Sequence, residues 1–476
     1  MHCLHYTVHT MLKSTALTLI VIILECAHSM FNTVIGLPIM ALSKALSERI
    51  YDGDKSLLMT RIEIISGVVT FLISLYFVLQ KYWKSKGGDD DDATAAKSTL
   101  RYKTRLLFLP TLGGFVSLTT LLYAKHNEHD LSVPTIYALF SLPSLTGLTF
   151  LFEICMSDII AGIVLDKRRR VSLFLWVKGG KMVGICFVQI ILPLANIEER
   201  YMTTVVCPII CCFLLIVNIT LVVIETYMNV DDENVTVYLK SIKFNGEFDD
   251  NDSPIDNVHL RKNYNDDNED GIVCVETTSL PKDEPKYPIL LKTILCLLIM
   301  MHSAQRGEYK FTYIFMSVRL EFESRELRII NGCQYMLFMI SLYSMGYLIR
   351  KTKHAQSTLI AFAVSMLFST AARVCQIVAW DITNFKVWCL SALLSTPGPL
   401  AYQVMQQVMY KTFENEQWAG IVLMTVDKFL SLPFTQLYQV AYANWNISPF
   451  YVTLFLMVAT TLGGLTTKTM RKLINS

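Results

Sequence analysis

"VDDENVTVYLKSIKFNGEFDDNDSPIDN", Val230 to Asn257, decides how this chain is organised. It is acidic and poor in large apolar residues, yet it lies mid-chain in 476 residues that are 53 % hydrophobic and only 17 % charged. Soluble domains carry charge on roughly a quarter of their residues. The polar character extends over 229–287, too little apolar surface to fold alone, so the segment reads as a largely disordered linker. On both sides apolar runs of about 20 residues recur, the length that crosses about 30 Å of hydrocarbon. Six runs precede the linker and six follow it.

The expected spans, numbered 1 to 12, are 15–42, 60–82, 105–124, 133–164, 171–194, 202–228, 288–317, 328–349, 357–379, 386–410, 418–441 and 448–468. Lys and Arg concentrate in "KYWKSK" with "RYKTR", "DKRRR", "RKTKH" and the terminal "KTMRK", whereas "KHNEHD", "NIEER", "WDITNFK" and "NWNIS" are poorer in them. The positive-inside rule then puts both termini and the 229–287 loop in the cytosol, where that acidic loop is a candidate binding segment for cytosolic proteins. The expectation is a multi-pass protein of the plasma or endolysosomal membrane, with the lipid bilayer as its main partner.

Several other readings are set aside. The first apolar run is long enough to span, contains Glu25 and lacks a small-residue cleavage site, so it reads as a span rather than a cleaved leader. A net charge of +2 with no basic–aromatic patch gives no nucleic-acid partner. The twelve cysteines lie mostly in apolar runs without Cys-x-x-Cys spacing and read as small buried hydrophobes. "GGDDDDATAAKS" at 87–98 lacks alternating calcium-ligand spacing and reads as a solvated loop. Asn234 in "NVT" falls on the cytosolic side, and Asn446 in "NIS" sits in a very short outer loop. No metal site, cofactor or intramembrane-enzyme motif such as His-Glu-x-x-His is expected; the chain reads as a non-enzyme.

Ionisable groups inside spans are functional candidates, since burying a charge in lipid costs several kcal/mol. Span 1 carries Glu25, His28 and Asn32, and span 4 carries Glu153 and Asp158. Span 7 contains "MMHSAQRGEYKFTYIF", Met300 to Phe315, with His302, Arg306, Glu308, Tyr309 and Tyr313; span 10 carries Gln403, Gln406 and Gln407. Lys178 and Lys181 are one turn apart on span 5. Either they attract an anion, or they pair with Glu153 or Asp158. Arg306 keeps its proton, so it either holds a substrate carboxylate or bridges to Glu25 or Glu308. His302 titrates near physiological pH and is a candidate proton-coupling group, with Glu25, His28, Glu153, Asp158 and Glu308; its alternative role is a hydrogen bond between helices. Tyr309, Tyr313, Gln403 and Gln406 complete the candidate substrate contacts, and Gly307 is a candidate hinge where span 7 breaks. Arg373 is expected to snorkel from span 9 towards the outer surface, and Asp427 and Lys428 on span 11 to find structural partners.

Twelve spans, a six-plus-six split and a cytosolic middle loop describe an all-α membrane protein with the major facilitator fold: two six-helix halves, 1–228 and 288–476, rocking around a midplane site. The cavity of such folds is lined chiefly by helices 1, 4, 7 and 10, which is where the polar residues fall. The chain also resembles solute carrier family 46, the family of proton-coupled folate transporters, in its insect-type members. "GEYKFTYIFMSVRLEF" is similar to that family's helix 7, with His302 at the position of a family histidine. "YKTFENEQWAGIVLMTVDKFLSLPFTQLYQVAY" resembles its Glu-Gln-Gly stretch and a later Phe-x-x-x-Tyr pattern, here Glu416, Gln417, Phe434 and Tyr438. "DKRRRVSLFLWVKGGKMVG" resembles its basic 4–5 loop. The chain departs from the family at the 2–3 loop signature, replaced by "KSKGGDDDD", at the helix 5 acid, near Leu175 or Trp176, at the helix 10 arginine, near Met405 or Gln406, and at the glycine replaced by Trp418. The resemblance implies a secondary transporter of a small organic anion, folate-like or another carboxylate, by alternating access with proton symport. The departures leave a second reading, a non-transporting receptor or scaffold.

Overall fold

The structure is a computed structural model that describes 16–36, 57–85, 104–127, 130–142, 150–163, 167–195, 201–244, 289–308, 311–312, 320–351, 357–413, 425–430 and 432–466, with residues 39, 42, 46, 102, 316, 419, 422 and 423 between them. The described residues form two units, 1–226 with 287–476, and 227–286. Both sets of six spans belong to the first unit.

Every expected span carries helix. Span 1 is helical over 16–36. Spans 2 and 3 are Leu57–Ser85 and Phe108–His126; span 4 is Val133–Ser141 and Phe150–Ile163; span 5 is Lys167–Cys186, continued by a π-turn at Phe187–Ile191. Span 6 is Cys207–Phe244, so residues 229–244 of the expected linker are helical, while 245–287 lie outside the described residues. Spans 7, 8 and 9 are Ile289–Ala304, Ser324–Lys351 and Ser357–Ile382. Span 10 is Phe385–Leu394 and Gly398–Thr412, span 11 a π-turn at Thr425–Phe429 then Leu432–Asn444, and span 12 Ser448–Thr466. Two of these starts are capped by side chains: Ser132 Oγ accepts from the Thr135 N–H, and Asn384 Oδ1 from the Lys386 and Val387 N–H groups.

Among the described residues, seven helices are long and apolar enough to cross a membrane, those of spans 1, 3, 5, 6, 8, 9 and 12. The other spans are shorter, interrupted or more polar. Span 7 passes from α-helix to a 3₁₀ turn at Gln305–Glu308, and span 10 changes course at Ser395–Pro397. Pro397 and Pro399 bring no backbone N–H to span 10. Ser365 of span 9 repairs that break: its hydroxyl lies 2.6 Å from the Pro397 carbonyl oxygen, to which it donates, and accepts from the Ala401 N–H at 3.1 Å. Non-helical backbone at membrane depth is tolerated where such groups are re-satisfied by neighbouring protein.

Glycines set the helix contacts, because lipid tails give apolar side chains little reason to leave them and close packing takes over. A Cβ added to Gly184 would overlap Ser29 Oγ and the Cys26 carbonyl oxygen of span 1; one at Gly180 would lie 2.9 Å from the Ile22 carbonyl oxygen. Spans 1 and 5 therefore touch backbone to backbone. The first six spans meet the second six along spans 5 and 8, where Ser172 Oγ donates to the Gly346 carbonyl at 2.8 Å and Cys186 Sγ to the Gly332 carbonyl at 3.0 Å. They meet again along spans 2 and 11, with Gly67 under Leu432 and Phe71 stacked on Phe429, ring centroids 4.5 Å apart.

Candidate functional site

The close approach of spans 1 and 5 brings opposite charges together. Lys178 Nζ lies 3.1 Å from Glu25 Oε1, with side chains 12 % and 2 % exposed. One turn along, Lys181 Nζ lies 3.2 Å from Glu153 Oε1 of span 4. Ser29 Oγ donates to the Lys181 carbonyl at 2.9 Å, tying the backbone of span 5 to span 1 between the two pairs. His28 is buried beside them, its ring stacked on Phe152 at 3.6 Å between centroids, with Asn32 Nδ2 at 2.9 Å from its Nε2.

The two lysines are thus paired, and the pairing corrects the expectation in one respect. Glu153 takes Lys181 as expected, but Lys178 goes to Glu25 rather than to an acid of span 4. The reason is steric: glycines at 180 and 184 let span 1 approach span 5 closely enough for Glu25 to reach.

A second charged pair lies in the later half. Arg373 Nη1 of span 9 is 2.5 Å from Glu308 Oε1 and 2.5 Å from Gln376 Oε1. Arg373 therefore does not snorkel: it is 13 % exposed and pairs with an acid 1 % exposed, a better partner for a fixed charge than distant headgroups. Glu25 and Glu308, the two acids considered as partners for Arg306, are held by Lys178 and Arg373. Tyr438 is fully buried near this pair, its hydroxyl 2.7 Å from Thr453 Oγ1.

Further polar side chains lie on spans 7, 10 and 11. His302 stacks on Tyr402 of span 10 at 5.9 Å between centroids. Ser303 Oγ donates to Asp427 Oδ1 of span 11. Gln403, Gln406 and Gln407 are buried on span 10. Arg306 and Gly307 fall in the 3₁₀ turn Gln305–Glu308, and Asp158 in the helix Phe150–Ile163. Tyr309 and Tyr313 lie outside the described residues, as do Glu416, Gln417 and Trp418. Arg373, Ser365 and the Pro397-Gly398-Pro399 break were not picked out as site features from sequence. The signal for the break was present in the two prolines flanking a glycine within an apolar run.

Buried side-chain atoms without a hydrogen-bond partner among the described residues include Glu25 Oε2, His28 Nδ1, Gln189 Oε1, Asn218 Oδ1, Gln305 Nε2, Glu308 Oε2 and Gln406 Oε1. They are spread over spans 1, 5, 6, 7 and 10. Buried polar atoms are nearly always satisfied, so such atoms call for water or a ligand.

No family model matches the chain, and no curated protein matches it. Solved structures do. A bacterial homologue of the iron transporter ferroportin, in its outward-facing state, is 12 % identical over 95 % of this chain and 98 % of that one, with TM-score 0.59. The proton:xylose symporter XylE bound to 6-bromo-6-deoxy-D-glucose is 11 % identical, covering 95 % of each chain, with TM-score 0.53. The E. coli fucose:proton symporter FucP is 10 % identical over 94 % of this chain and 97 % of that one, with TM-score 0.51. These likenesses show the fold: an all-α membrane protein with the major facilitator fold.

Proposed function

We propose that the chain is a secondary transporter that moves a small organic anion across a membrane by alternating access, with protons as the coupling ion. The observation that carries this reading is the pair of buried ion pairs, Lys178 with Glu25 and Arg373 with Glu308, ionisable side chains that a purely structural bundle has no need to bury. The fold it shares with proton symporters supports the class of activity. The resemblance to solute carrier family 46 supports a folate-like or other carboxylate as substrate. Lys178 and Lys181, Arg306, Tyr309, Tyr313, Gln403 and Gln406 are its proposed contacts. His302, Glu25, His28, Glu153, Asp158 and Glu308 are the proposed proton carriers, and Gly307 the hinge. Both termini and the 229–287 loop face the cytosol in this reading, with the loop open to cytosolic proteins.

An uptake screen tests it. Cells or vesicles expressing the full chain are given radiolabelled folates, small carboxylates and acidic peptides with and without a pH gradient. Accumulation of one of these that follows the gradient supports the reading. Absence of transport for all of them favours the receptor or scaffold, a reading supported by the replaced 2–3 loop signature.

A further inference from the structure

We infer that Glu25 is a resident counter-anion that holds Lys178 until the substrate's carboxylate replaces it, so that one proton on Glu25 and one anion on Lys178 are bound together. This rests on the anion-transport reading and names the residue that couples the two ligands.

Three observations carry it. First, Lys178 is not open to an incoming anion, because Glu25 Oε1 already sits 3.1 Å from its ammonium. Second, the pair is asymmetric: Glu25 is 2 % exposed whereas Lys178 keeps 12 % of its side chain open. Lys178 is thus the more exposed side chain of the two. Third, Glu25 Oε2 is buried without a partner among the described residues. That oxygen is available to carry the proton while Oε1 still accepts from Lys178.

The charges then balance. With Glu25 ionised, a second carboxylate at Lys178 would put two anions against one ammonium in a poorly solvated place, which is strongly unfavourable. Protonating Glu25 removes one of them, and the incoming anion restores the neutral pair. The other ionisable groups around the pair do not substitute for it directly. Glu153 of span 4 is 3.2 Å from Lys181 Nζ. His28 lies one turn along span 1, against Phe152. Asp427 of span 11 acts on Lys178 electrostatically but is bonded to Ser303, and Cys26 and Tyr343 are neutral neighbours. Anion and proton affinities must then rise together by the same factor, since the coupling is reciprocal.

The test uses the purified full chain in lipid nanodiscs, with glutamate, citrate and benzoate as probes. Thermal stabilisation is titrated at mildly acidic and mildly alkaline pH for wild type, Glu25→Gln and Lys178→Met. For wild type the half-saturating probe concentration should rise about tenfold per pH unit on the alkaline side. Glu25→Gln should bind equally at both pH values, and Lys178→Met should lose binding at both. Because either variant risks folding poorly, wild type is also mixed with probe in weakly buffered solution containing a pH dye, where about one proton should be taken up per anion bound. Glu25→Gln with the wild-type pH contrast, or anion binding without proton uptake, overturns the inference while leaving anion transport standing. If none of the three acids stabilises wild type at either pH, the anion reading fails and the inference fails with it.

Discussion

The Glu308 carboxylate and the Arg373 guanidinium meet at 2.5 Å and join the 3₁₀ turn of span 7 to the middle of span 9. Neither group has water as an alternative partner on the acid's side, since Glu308 is almost wholly shielded. The pair ties down the end of the 3₁₀ turn that follows the α-helix of span 7.

Removing one member should therefore hurt more than removing both. Arg373→Met alone should cost about 3–5 kcal/mol, because it strands a buried carboxylate. Adding Glu308→Gln should return a large part of that. Thermal unfolding of the three variants in nanodiscs checks it, and equal losses for single and double variants would mean the pair is not coupled.

Filling the contact between spans 1 and 5 should be similarly damaging. At Gly184 a leucine side chain would need the space of Ser29 and the Cys26 carbonyl. The expected cost is about 1–3 kcal/mol or more, the usual penalty for overpacking. Because the displaced helix carries Glu25, the Lys178 pair should loosen too. Cysteine accessibility at Cys26, read by maleimide labelling, should rise in Gly184→Leu and stay at the wild-type level in Gly463→Ala, a substitution that meets only the flexible end of Leu298.

Ser365 offers a milder test. Its alanine variant removes the hydroxyl that serves Pro397 and Ala401, leaving both backbone groups buried without that partner. A loss of about 1–3 kcal/mol is expected from the unsatisfied groups. Ser365→Thr should retain most of the stability, whereas equal melting of alanine and wild type would show that the break repairs itself.

For transport, Arg306→Ala should abolish uptake of the anion found in the screen while surface expression stays normal. Wild type should accumulate more at acidic than at neutral external pH. Uptake in the variant equal to wild type across that range would remove Arg306 from the proposed substrate contacts.

The sequence made the fold legible because its signals are long: apolar runs of membrane length recur along the chain, and each carries helix among the described residues. It made the site only half legible. That charges crowd spans 1, 4, 5 and 7 follows from composition, but partner choice depends on helix rotation and separation, which no run length reveals. Lys178 could be told to seek an acid, yet Glu25 wins because two glycines on the facing helix bring the backbones together. Arg373 looked like an interfacial residue because its depth was judged along the chain, when its partner lies on another helix. The linker reading likewise passed over helix at 229–244, where polar composition and helical backbone coexist.

Span 5 carries glycines on two faces, Gly180 and Gly184 towards span 1 and Gly179 beneath Tyr343 of span 8. Backbone-to-backbone contact leaves no gap as wide as an acyl chain. Lipid tails cannot wedge between spans 1 and 5, so that flank of the bundle is sealed against leakage from the bilayer. A hydrophobic drug approaching sideways would have to enter elsewhere, because the Lys178–Glu25 pair sits behind that closed contact.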